Sequence, residues 1–330
     1  MARDYRIDSL KGFLIILVII GHVITTLDNT NVFNHALMGL IYIFHMPLFI
    51  LVSGYLTKSP DSQQAKDMWR GVLRILVPLL IFHLIYCASK LYQFGGNYIT
   101  YLKSFPYGIL WYLMSLIFWR IMLYYSPKAL LKRPALYLSI ALIVSILCGL
   151  THLGRPFSIQ RTLNFYLFFL LGYYYRQNAI NRQLWNKNIL HAAVAVVLLP
   201  IIFILYPRCG NVMNGLDHYG LYDIPQKILI LTCSIAMSLL VFNLMRDFKP
   251  LRVIGRESLF YYLYHFLIIV IIIKPLVIAY DWPCTLPFIF IYSAAVLAIV
   301  FILSKIPVFK WIADPVSYLT KAKQQKLPTT

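Results

Sequence analysis

The sequence predicts an all-α fold: a polytopic integral membrane helical bundle of about ten transmembrane helices, with both termini cytoplasmic. Three observations carry this reading. Only 12% of the 330 residues are charged and 60% are hydrophobic, with mean hydropathy +0.72, whereas soluble domains are about 25% charged. The apolar residues form long continuous runs rather than the alternating pattern of a membrane β-barrel. The basic residues are unevenly shared between alternate connecting segments. A soluble globular enzyme and an extended disordered chain are both excluded by this composition. The formal charge of +19 leaves nucleic acid, an anionic ligand or cytoplasmic loops as its explanation.

The apolar runs fall at 12–27, 36–57, 70–87, 108–126, 134–150, 162–176, 189–205, 226–245, 258–273 and 286–306. Each approaches the ~20 residues that a ~30 Å hydrocarbon core requires. The first follows Arg3, Arg6 and Lys11 and so mimics a secretory signal. No small-x-small cleavage site follows Gly21-His22-Val23, and the run reads as a retained span. The second contains Pro47, which removes a backbone donor and should kink or widen the helix. Ser53 and Gly54 near its end suit close helix packing. The third opens on Arg70 and Arg74. The fourth carries Trp111 and Tyr112 near its outer end, and Arg120 ~18 Å further in. The fifth and sixth lie between the basic cluster Lys128, Lys132, Arg133 and Arg176; the ninth follows Arg256 and Glu257.

With the N-terminus inside, seven of the 30 Lys and Arg fall in outer segments: Lys90, Lys103, Arg155, Arg161, Arg208, Lys227 and Lys274. Arg120 lies within a span, and the other 22 fall in inner segments. This bias puts both termini in the cytoplasm and replaces the nucleic-acid reading of the charge. Residues 1–320 read as one transmembrane domain and 321–330 as a short polar cytoplasmic tail. Cys87, Cys148 and Cys233 fall in or beside spans as small hydrophobes. Cys209 and Cys284 fall in two outer loops and could pair on an oxidising face. No spacing resembles a zinc site, so no metal is expected.

Ionisable groups inside a span are costly and point to function. No acid falls mid-span, which counts against a proton relay and leaves histidine as the base at depth. His22, His45, His83 and His265 lie within spans. On the spans above, His22 and His45 sit ~14–15 Å along their helices and reach the midplane together. Lys11 and His22 are about 20° from a whole number of turns apart, so they share one face, with Asp8 one turn before Lys11. Taken alone, Lys11 is a snorkelling anchor. Arg120 should face the bundle and hold an anion or carbonyl groups. Trp111 and Tyr112 fit either an interfacial aromatic belt or a substrate contact.

Five segments, in order, resemble one family. "RIDSLKGFLIILVIIGH" sets Lys11 ahead of His22. "FHMPLFILVSGYL" contains His45, Met46, Pro47, Ser53 and Gly54. "GILWYLMSL" contains Gly108, Leu110, Trp111 and Tyr112. "NFYLFFLLGYYYR" ends in Gly172, Tyr173 and Arg176. "GRESLFYYLYHFLI" contains Gly255, Ser258, Tyr262, Leu263 and His265. Over residues 5–270 the chain resembles the acyltransferase-3 family, in particular the stand-alone carbohydrate O-acetyltransferases of capsular or fucose O-acetylase type. Lys at position 11 stands where most members have Arg.

The resemblance implies a bacterial cytoplasmic (inner) membrane enzyme. It would move an acetyl group from cytoplasmic acetyl-CoA, a co-substrate, to a hydroxyl of a cell-surface carbohydrate or lipid-linked glycan. O-antigen, capsule and exopolysaccharide precursors all fit as acceptor. It implies His22 as general base or acyl carrier, Lys11 as a further catalytic residue, and His45 or His265 as the group that orients His22 or polarises the thioester carbonyl. CoA would be held by Lys11, Arg70, Arg74, Arg120, Arg176 and Arg256, although inner-face cations serve equally as topology anchors. Trp111 and Tyr112 would meet the sugar. An O-succinyltransferase of the same family and a non-enzymatic glycolipid flippase are the alternatives. Membrane lipid is an expected partner, nucleic acid is not, and a homo-oligomer is compatible with this reading. Ending soon after its last helix, the chain is expected to act alone or with a separate partner.

Overall fold

The computed structural model describes residues 4–27, 31–151, 153, 156–214 and 219–318, with backbone alone for residue 156 and residues 205–214. Among the described residues there are helices and no strands. The chain opens with α1 (Tyr5–Leu27), α2 (Val32–Leu56) and α3 (Ala65–Phe94). The short α4 (Tyr98–Lys103) precedes α5 (Trp111–Tyr124), and the short α6 (Lys128–Leu131) precedes α7 (Pro134–Leu147). Then come α8 (Ile159–Arg176), the short α9 (Arg182–Trp185), α10 (Asn188–Asn214) and α11 (Ile224–Leu244). Next are α12 (Lys249–Arg256) and α13 (Ser258–Ile268), which passes through a π turn at Ile269–Ile273 into α14 (Lys274–Ala279). α15 (Leu286–Leu303) and α16 (Pro307–Ala313) complete the bundle.

Among the described residues, seven helical stretches are long and apolar enough to cross a membrane, and two shorter apolar helices lie at Pro134–Leu150 and Asn188–Ile204. The remaining expected span is α8, whose first turns carry the polar residues Gln160, Arg161 and Asn164. Every segment expected to span is therefore helical, in an all-α multi-pass membrane protein.

Helix starts differ most from the sequence reading. α1 begins at Tyr5 rather than near 12, because its polar first turns pack inward instead of entering solvent. Asp8 is buried, with Lys11 Nζ at 2.9 Å and Arg256 Nε at 3.9 Å, so the charge that would end an isolated apolar helix is neutralised. His22 consequently lies seventeen residues into α1 and five from its end, nearer that end than the middle of the helix.

Two reciprocal glycine contacts set the bundle. A Cβ on Gly54 of α2 would overlap the Phe169 carbonyl of α8, and one on Gly172 of α8 would overlap the Leu51 carbonyl of α2. Gly12 of α1 meets the Leu251 carbonyl in the same way, and Gly255 of α12 the Asp8 carbonyl. Apolar burial gives helices little reason to associate within hydrocarbon, so such close backbone packing is what holds them together. The two clasps fix α1 and α2, which carry His22 and His45, against α12 and α8.

Candidate functional site

Two of the four histidines within the spans are in ring contact. The His22 ring lies 5.3 Å from the His265 ring, tilted by 39°, and 5.5 Å from Phe266, edge-on. His45 and Arg161 are within electrostatic range of His22. The neighbour in ring contact is thus His265, from a helix more than 240 residues away, rather than His45 from the adjacent helix. His22 is partly accessible, whereas His45 and His265 are buried. His83 serves the scaffold: its Nε2 is 3.2 Å from the Leu102 carbonyl, and its Nδ1 accepts the Tyr107 backbone N–H at 3.2 Å.

Backbone contacts orient the two buried imidazoles. His45 Nδ1 lies 2.8 Å from the Ile41 carbonyl and His265 Nδ1 lies 3.0 Å from the Tyr261 carbonyl, each one turn back. A carbonyl oxygen only accepts, so each Nδ1 carries the proton and each Nε2 presents a lone pair when the ring is neutral. Among the described residues, His265 Nε2 is buried without a hydrogen-bond partner. A buried polar nitrogen left unmet requires an explanation, and a substrate group is one. The π turn begins four residues after His265, and such turns recur at functional sites.

Aromatic side chains continue the wall. Tyr262 lies 6.1 Å from His265 and 5.5 Å from Tyr112, and its hydroxyl donates to the Ile109 carbonyl. Tyr112 is buried, with its hydroxyl 2.7 Å from Ser53 Oγ and its ring edge-on to Phe49. Trp111 is partly exposed, with Phe165 at 5.5 Å and the Arg161 guanidinium 4.6 Å from its ring centroid. The sequence reading left Arg161 as an outer-loop cation, but α8 starts at Ile159 and carries it into the bundle. Its closeness to Trp111 and His22 had no sequence signal. Tyr262 stood inside a motif without a role.

The expected donor-binding cations separate into three groups. Arg70, Arg74 and Arg120 line one cleft of about 380 Å³ with Lys58, Thr57 and Gln63. Arg120 donates to the Gly71 carbonyl at 3.3 Å, and Arg70 pairs with Asp67 at 3.3 Å. Arg176 instead donates to the Tyr55 carbonyl at 3.0 Å, meeting the carbonyl end of α2. Lys11 and Arg256 converge on Asp8. α5 joins the cleft to the aromatic wall beside the imidazoles: Arg120 follows Tyr112 by eight residues, ~12 Å along the helix axis. Cys209 falls among the residues whose side chains are not described.

A multi-pass bundle with paired imidazoles in its interior and a guanidinium-lined cleft at one end suits group transfer from an anionic carrier. The family described as "Acyltransferase domain" matches residues 4–305, and the chain belongs to it. It is similar to Nodulation protein NolL of Sinorhizobium fredii, 34% identical over 97 residues, which is 28% of this chain and 26% of that protein. It is also similar to Nodulation protein NolL of Mesorhizobium japonicum, 40% identical over 87 residues, 24% of this chain and 23% of that one. The chain thus spans about a quarter of the length of the curated relatives it matches. No solved structure matches.

Proposed function

We propose that this protein is an O-acetyltransferase of the bacterial cytoplasmic membrane, with both termini in the cytoplasm. It moves an acetyl group from cytoplasmic acetyl-CoA to a hydroxyl of a cell-surface carbohydrate or its lipid-linked precursor. The observation that carries this reading is the His22–His265 pair, with ring centroids 5.3 Å apart.

Arg70, Arg74 and Arg120 hold the CoA phosphates in the cleft, where guanidinium groups suit phosphate oxygens. Lys11, Arg176 and Arg256 add positive charge to the same face of the membrane. The thioester then extends along α5 toward Tyr112 and His22. His22 accepts the proton of the sugar hydroxyl as its oxygen attacks the acetyl carbonyl carbon. The carbon–sulfur bond breaks, and the departing CoA sulfur takes that proton back from His22. His265 Nε2 and His45 hold the reacting groups in register. Arg161, within electrostatic range of His22, stabilises negative charge developing on the carbonyl oxygen. Trp111 offers its exposed edge to the sugar.

Two measurements test this reading. Purified protein should release CoA from acetyl-CoA in the presence of acceptor. Mass spectra of cell-surface glycans, with and without the gene, should differ by one acetyl group. Absence of both signals in active-site-intact protein would overturn it, and a succinyl increment would replace the acyl group while keeping the chemistry.

A further inference from the structure

A groove of about 390 Å³ runs between α12, α13 and α15, away from the imidazole site. Pro250 and Val253 form one wall, Tyr261 the floor, and Leu297, Ala298 and Phe301 the other wall. α15 is the most apolar of the seven membrane-capable stretches, at mean hydropathy 2.7, and the least buried, at 28%. The groove therefore faces hydrocarbon, and a flexible apolar chain fills it better than a polar ligand would.

The mouth of the groove is cationic. Lys305 Nζ stands 4.4 Å from the Phe301 ring centroid, over the end of one wall. Lys249 immediately precedes Pro250 on the other wall. Both are exposed, and neither is in an ion pair among the described residues. Three nearby cations are engaged: Arg252 pairs with Asp247 at 2.9 Å, Arg256 with Asp8, and Lys310 with Glu257 at 2.6 Å. Two unspent ammonium groups at the end of an apolar slot match a ligand with one anionic head and long hydrocarbon tails.

The geometry points to a specific site for an anionic phospholipid, with its phosphate between Lys249 and Lys305 and one acyl chain along Leu297 and Ala298. The opposite face of α12 is clasped to α1 through Gly12, Gly255 and Asp8. A lipid bridging α12 to α15 therefore braces the helix that carries Lys11 and His22, whatever reaction those residues perform. Basic residues near a membrane surface each strengthen attraction to anionic lipid by about fivefold.

Full-length protein, delipidated in non-ionic detergent, is titrated with phosphatidylglycerol or phosphatidylcholine, and bound lipid is counted by mass spectrometry. One phosphatidylglycerol should be retained in preference to phosphatidylcholine. The double variant Lys249→Gln/Lys305→Gln should lose that preference by roughly 25-fold. Ala298→Leu, which narrows the slot without changing charge, should weaken retention of phosphatidylglycerol while the helical circular dichroism is kept. Equal retention of the two lipids by the unaltered protein would overturn the site. So would a preference that survives the double charge variant. Loss on charge removal but none with Ala298→Leu would reduce it to general surface attraction, which also overturns it.

Discussion

The ring of His265 faces that of His22 across 5.3 Å, although the two residues sit on helices near opposite ends of the chain. His265 is anchored through Nδ1 to its own helix, so its free Nε2 is the fixed element and His22 the accessible one. In the proposed transfer His22→Ala removes the proton acceptor, and kcat should fall by about 10²–10⁴. His265→Gln, which retains a polar group near Nε2, should fall less than His265→Ala. Single-turnover acetyl transfer in membranes with matched expression measures both. An unimpaired His22→Ala enzyme would remove His22 from the chemistry.

Arg120 separates donor binding from chemistry. It lines the cleft with Arg70 and Arg74, two turns from Tyr112, and donates to the Gly71 carbonyl. Arg120→Gln should raise the acetyl-CoA KM by about 10-fold or more, the scale of a lost hydrogen bond to a charged group. At saturating donor kcat should change little. A fall in kcat with an unchanged KM would move the CoA phosphates elsewhere.

Which parts of this arrangement were legible follows from the range of each signal. Helices announce themselves by local composition, so each of the ten expected segments is helical, seven of the helical stretches among the described residues being long and apolar enough to span. Their polar ends were not legible, because Asp8 and Lys11 look like a loop until α12 supplies Arg256 and the Gly255 contact. His22, His45 and His265 could be named because polar groups within apolar runs are conspicuous. Their pairing could not, since His22–His265 is a contact across 243 positions. Arg161 was hidden by a boundary: three residues of helix turned an outer cation into a neighbour of Trp111 and His22.

Gly172 tests the scaffold independently of chemistry. Any side chain there runs into the Leu51 carbonyl, which is backbone and cannot rotate away. Gly172→Val should separate α8 from α2 and destabilise the fold by about 1–3 kcal/mol or more. A lower unfolding temperature in detergent is the readout. Gly108, whose Cβ would meet nothing within 4 Å, is a control for space, though its φ of +25° adds some backbone strain. Equal stability of Gly172→Val and the parent would mean that the α2–α8 clasp does not hold the bundle together.

Lys227 gives a sharper test of what buried charge does in this bundle. It counted as an outer anchor in the sequence, yet it is 2% exposed and points between α7 and α8. Its Nζ donates to Asn164 Oδ1, which also accepts from Ser145 Oγ at 3.3 Å, and among the described residues no carboxylate reaches it. An ammonium buried against one amide oxygen loses more hydration than that contact returns. Lys227→Met keeps the volume and leaves Asn164 bonded to Ser145, so stability should be unchanged or raised by about 1 kcal/mol. Lys227→Ala also deletes the charge but opens a cavity, and should cost about 2 kcal/mol or more. Thermal unfolding of the two variants separates the contributions. If Lys227→Met falls as far as Lys227→Ala, the ammonium itself holds α7, α8 and α11 together.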